Sequence, residues 1–150
     1  MPSISGYVRR MRDRRGMETL IRVKKLSLTI TPALMTDNTN TTGYIDFPTN
    51  SLPANCFVLG WSCKATAGFA GDTTATIQVG IAGTLDFYSA ITTGSIFAAG
   101  KVGAIVKTNH PHYQVAAATP RVTITGTADF TAIKTDGTGR AVVNIYYIPA

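Results

Sequence analysis

From Thr19 onward the chain alternates apolar and polar residues with a period of two. Leu26, Leu28 and Ile30 alternate with Ser27, Thr29 and Thr31, the pattern of a strand with one buried face, and Pro32 stops it. The run TDNTNTT at 36–42 has no apolar anchor and reads as a polar loop. A short strand follows around Gly43–Phe47, ended by Pro48 and then Pro53. The most apolar strand is CFVLGWSCKAT (Cys56–Thr66), in which Gly60 marks a bulge or a close backbone approach. GFAGD at 68–72 turns into TATIQVGI at 74–81, and Gly83 introduces a further segment, LDFYSAI, at 85–91. Gly94, Gly100 and Gly103 punctuate a looser region that holds Phe97 and Ile105. Val115–Ala118, RVTIT at 121–125 and AVVNIYYI at 141–148 complete the strands, with DGTG at 136–139 as the turn before the last. Residues 1–18 have no usable period.

Eight or so short strands divided by Gly, Pro and Asp predict an all-β fold, a single β-sandwich or barrel, with an extended basic N-terminal arm. Residues 1–25 form the arm running into the first strand, and 26–150 the sandwich. No period of 3.6 is sustained after residue 25, which excludes α/β folds. Threonine occurs 23 times, mostly alternating with Val, Ile and Leu, and a β-branched hydroxyl residue suits the solvent or interface face of a pleated strand.

Composition sharpens this picture. Apolar residues make up 45% of the 150 and charged residues only 15%, so disorder is excluded and a surface covered by partners is favoured over a freely solvated one. The net charge of +6 is unevenly placed. Arg9, Arg10, Arg12, Arg14, Arg15, Arg22, Lys24 and Lys25 face only Asp13 and Glu18 within residues 1–25, so this stretch carries the whole excess and the remainder is neutral. No window reaches the ~20 apolar residues of a membrane span, and no apolar segment follows the basic start as a secretory signal requires. Cys56 and Cys63 flank Trp61 without a paired CxxC, and read as buried hydrophobes or free thiols rather than a disulfide framework or zinc site.

The titratable side chains form no catalytic pattern. Asp37, Asp72, Asp129 and Asp136 lie in or beside predicted turns, where Asp bonds its own backbone. His110 and His112 flank Pro111 in what reads as a polar loop, with a shared metal on a symmetry axis as the sharper alternative. Neither a nucleophile elbow nor a phosphate loop is present. No enzyme activity, cofactor, metal or small-molecule substrate is expected. The eight basic residues of the arm are the expected partner-binding residues. Arginine's planar fork suits carboxylates as well as phosphates. An acidic protein surface is preferred over nucleic acid, because Tyr7 is the arm's one aromatic.

Residues 55–148 resemble small structural proteins of tailed-bacteriophage virions, through FVLGWSCKATAGFAGDTTATIQVGIAG (57–83), LDFYSA (85–90), RVTITGTADF (121–130) and GRAVVNIYYI (139–148). The resemblance implies a jelly-roll-like β-sandwich in a capsid cement (decoration) protein, often trimeric, that clamps the major capsid protein lattice from the capsid exterior and is made in the host cytoplasm. A head–tail connector, tail or fibre-base protein is the alternative. A carbohydrate binder using Trp61, Tyr88, Tyr113 or Tyr146, or a nucleic-acid binder acting through the arm, ranks below both. The basic arm is the departure from a minimal cement body.

Overall fold

The computed structural model describes residues 9–12, 18–38, 40–89, 95–102 and 112–150. Strands β1 (Arg9–Arg12) and β2 (Glu18–Ile21) pair as an antiparallel hairpin, Arg9 opposite Ile21 and Arg12 opposite Glu18. Two larger antiparallel sheets follow. One runs in the order β4 (Thr36–Asp37), β5 (Thr42–Asp46), β10 (Arg121–Thr125), β7 (Thr76–Gly80). The other runs β3 (Lys24–Ile30), β11 (Arg140–Pro149), β6 (Cys56–Ala67). Along the outer side of β6 lie β8 (Gly100–Val102) and β9 (His112–Gln114). Pairings nest, β3 with β11, β5 with β10 and β6 with β9, as when one long hairpin is rolled up. The periodicity pointed to a sandwich or barrel, and the nested order makes it a jelly-roll-like sandwich.

Register explains the core. Across β3, β11 and β6 the inward rows are Ile30–Ala141–Ala65, Leu28–Val143–Cys63 and Leu26–Ile145–Trp61. The next inward pair is Tyr147 and Val58, two residues along β11 but three along β6. A period-two strand cannot bury both Val58 and Trp61 unless one residue is looped out, and the extra residue sits at Leu59–Gly60, where Gly60 has φ +155°. From the facing sheet Ile77, Val79, Val122 and Ile124 close the core, joined by Met35, Phe47, Leu52, Phe69, Tyr88, Ile96, Phe130 and Ile133.

The run read as a polar loop at 36–42 begins with strand β4, because β5 offers it an edge to pair with. Strand β8 and the start of β9 at His112 form where the sequence read a looser region and a polar loop, because β6 offers them an edge in turn. Three further segments differ as well. Residues 85–89 of LDFYSAI are turns, not strand, because Tyr88 drops its ring into the core. Its N–H donates to the Val79 carbonyl at 3.0 Å, and its hydroxyl donates to Gln114 Oε1 at 3.0 Å. Val115–Ala118 is not a strand either. Strand β9 ends at Gln114, opposite Cys56, where β6 itself begins, so Val115 has no strand to pair with. Between Asp129 and Gly137 lies the third, a helix, α1 (Phe130–Asp136). Asp129 caps it by accepting from Thr131 N at 2.9 Å, and Gly137 (φ +71°) ends it by donating to the Ile133 carbonyl at 3.1 Å. Phe130 and Ile133 are its buried face.

Candidate interaction site

Strand directions divide the molecule into two ends. β11 starts three residues after α1 and runs away from it, and both its neighbours are antiparallel. Ile30, Ala67 and Arg140 therefore mark the α1 end, and Lys24, Cys56 and Pro149 the opposite one. In the facing sheet Thr42, Thr76 and Thr125 lie toward α1, and Asp46, Gly80 and Arg121 away from it. At about 3.3 Å per residue, the ten residues of β11 separate the ends by roughly 30 Å.

The α1 end is tied together by carboxylates. Asp72 accepts the backbone N–H groups of Thr73 at 2.5 Å, Thr127 at 2.7 Å and Ala128 at 2.9 Å, joining the loop after β6 to the one after β10. Those amides, Ala128 foremost, hold its carboxyl below the usual carboxylate range. Asp37 accepts from the Thr131 hydroxyl at 2.7 Å, and Asp136 from Thr138 N at 3.1 Å. With Asp129 this makes four carboxylates, against Lys134 and Arg140; Lys134 donates to the Met35 carbonyl at 2.8 Å. Of the four acids read as turn residues, Asp72, Asp129 and Asp136 accept from a backbone N–H within two residues, whereas Asp37 lies on β4 and accepts from Thr131, distant in sequence.

The opposite end is basic and aromatic. Arg22, Lys24 and Lys25 are exposed there, and the hairpin of β1 and β2 precedes them directly. Arg121 forks onto Asp46 through Nε at 2.6 Å and Nη2 at 2.8 Å, with its guanidinium 3.8 Å above the Tyr44 ring, so Asp46 is neutralised. Asp86 lies in the turn segment that follows β7. Phe57 and Tyr113 stack at 4.9 Å, and Tyr113 donates to Asn55 Oδ1 at 3.0 Å. His112 packs edge-on to Phe87 at 4.8 Å.

Six large apolar side chains are exposed among the described residues, and all six sit at the ends. Val23, Phe57, Tyr113 and Val115 (70% exposed) belong to the basic end, and Leu34 (60%) and Phe97 to the α1 end. Between them, the outer face of the β3–β11–β6 sheet is polar. Ser27 donates to Asn144 Oδ1 at 2.6 Å, Asn144 Nδ2 to Ser62 Oγ at 3.3 Å, and Ser62 and Tyr146 share a hydrogen bond at 3.1 Å.

Of the basic residues singled out in the sequence, Arg9, Arg10 and Arg12 fall on β1, while Arg14 and Arg15 lie outside the described residues, as does His110. Trp61 and Tyr88 are in the core, so Trp61, Tyr88, Tyr113 and Tyr146 do not assemble into one stacking platform. Cys56 and Cys63 are free, buried thiols, and burial pushes Cys63 up to about 12. Among the described residues no three His, Cys, Asp or Glu side chains group to hold a metal ion, and no helix is long and apolar enough to cross a membrane. The polarity of the two ends was not read from the sequence. Its signals were the turn aspartates, whose common location only the nested topology reveals.

Among solved structures, a chain of the cyanophage Pam1 capsid asymmetric unit superposes with a TM-score of 0.39 at 18% sequence identity, over 87% of this chain and 85% of that one. No protein-family model and no curated protein matches the sequence. Function is therefore argued from this chain's own residues.

Proposed function

We propose that this chain is a structural protein of a phage virion, a capsid cement protein that binds and reinforces the major capsid protein lattice from outside and associates with copies of itself as a homotrimer. The observation that carries the reading is the placement of every large exposed apolar side chain of the described residues at the two ends of a charge-poor sandwich. Exposed apolar side chains beside charged and polar groups are what protein contacts bury, provided the partner surface supplies opposite charge. The sequence resemblance over 55–148 supports the virion setting. The eight basic residues Arg9, Arg10, Arg12, Arg14, Arg15, Arg22, Lys24 and Lys25 supply a second attachment through acidic protein surface, which raises avidity on a repeating lattice.

Light scattering on a sizing column, followed by sedimentation with empty shells, tests this. The expected results are a particle of three times 15.9 kDa and saturable binding at hundreds of copies per shell. Saturation at a dozen copies or fewer would move the protein to a connector, tail or fibre base.

A further inference from the structure

Opposite ends of one molecule carry matching chemistry. The α1 end presents Leu34 and Phe97 among four carboxylates, Asp37, Asp72, Asp129 and Asp136, which outnumber Lys134 and Arg140 there. The far end presents Val23, Phe57, Tyr113 and Val115 beside Arg22, Lys24 and Lys25, which outnumber the single charge of Asp86 once Asp46 is held by Arg121. With Arg22, Lys24 and Lys25 at one end and the surplus of carboxylates at the other, the chain carries opposite net charge at its two ends. We infer that the α1 end of one copy docks on the basic, aromatic end of the next.

Charge decides the occupant. Two like ends brought together by a two-fold axis would set carboxylates against carboxylates or lysines against lysines. A head-to-tail contact pairs opposite charges and covers apolar side chains on both sides. The same molecule's hairpin is a poor alternative partner for the α1 end, since it joins the body at Lys24, roughly 30 Å away along the strands. An isolated two-stranded hairpin is marginal in water, and a neighbouring copy offers β1 and β2 an acidic surface to lie against. Heterologous contacts of this kind close into rings or run into filaments, and a trimer is the smallest ring they make beyond the dimer. The inference rests on the self-association proposed above and specifies its surfaces.

The test uses two variants of the full chain. Lys25→Glu with Val115→Glu blocks the basic end only, and Leu34→Glu with Phe97→Glu blocks the α1 end only. Each alone is expected to remain monomeric at concentrations where the unaltered chain associates, with association weakened at least tenfold. Mixed one to one, they retain one good end each and form a dimer that grows no further. A mixture that stays monomeric overturns the head-to-tail contact, as does either variant assembling normally. Should a variant lose its fold by circular dichroism, the unaltered chain decides through salt. Association must weaken severalfold between about 50 and 500 mM NaCl, where the screening length falls from over 10 Å to a few ångströms, and salt-independent association overturns the charge pairing. A monomer that still coats shells removes this contact and leaves the virion reading, whereas head-to-tail assembly without shell binding does the reverse.

Discussion

Asp72 shows how one side chain can hold an end of the sandwich. Its three amide donors favour the carboxylate, so its folded pKa lies below the ordinary 3.8. A depressed pKa contributes stability that is complete above the unfolded value and disappears as pH falls through the folded one. Melting midpoints are therefore expected to decline below about pH 4. Asp72→Asn, which keeps one acceptor oxygen but no charge, lowers the midpoint at pH 7 and flattens that acid limb; an unchanged limb would assign it to other carboxylates. Cys63 obeys the opposite logic, because burial raises its pKa to about 12 and leaves roughly one thiol in 10⁴ ionised at pH 8. Iodoacetamide is expected to spare it in the folded protein and to modify both Cys56 and Cys63 after denaturation. Gly43 is a third case. A Cβ there would enter the Phe130 ring, so Gly43→Val forces α1 off the sheet at a cost of about 1–3 kcal/mol, visible as a lower midpoint in a urea titration.

At the scale of elements, the helix and the bulge separate what is legible from what is not. The bulge at Gly60 is readable in advance, because a glycine interrupts an apolar run whose Val58 and Trp61 both need to be inside. Helix α1 is not, since seven residues give one i, i+3 pair, Phe130 and Ile133, and no period. Its caps, Asp129 and Gly137, look like ordinary turn residues until the helix between them is seen. Asp129→Ala removes the cap on Thr131 N and is expected to cost about 1 kcal/mol, which is about 2–4 °C of melting midpoint for a chain this size. The strands with a clean alternation, Leu26–Ile30, RVTIT and AVVNIYYI, form as written because one face of each meets the core. LDFYSAI does not. Two adjacent aromatics cannot both enter the core from a period-two strand, and the turns at 85–89 bury Tyr88 while Phe87 meets its ring edge-on at 5.0 Å. Strand order is out of reach for any local pattern, and with it the gathering of Asp37, Asp72 and the two α1 aspartates Asp129 and Asp136, from three separate segments, at one end.

For the molecule as a whole, stability and attachment are carried by different parts of the chain. The buried hydrophobic residues among those whose burial is described fall between Ile30 and Tyr147, and they fill the space between the two sheets. Residues 1–18 carry Arg9, Arg10, Arg12, Arg14 and Arg15 against Asp13 and Glu18, half of the net +6. Deleting 1–18 removes β1 and unpairs β2, and leaves Arg22, Lys24 and Lys25 at the basic end. The truncated chain is expected to melt within a few degrees of the full one. It should occupy fewer shell sites at a given concentration, and its residual binding should respond less steeply to salt, because fewer ion contacts are exchanged. A large fall in midpoint would mean that the hairpin packs as part of the body. Unchanged occupancy on shells would remove the arm from the attachment altogether, and leave residues 19–150 to account for it alone.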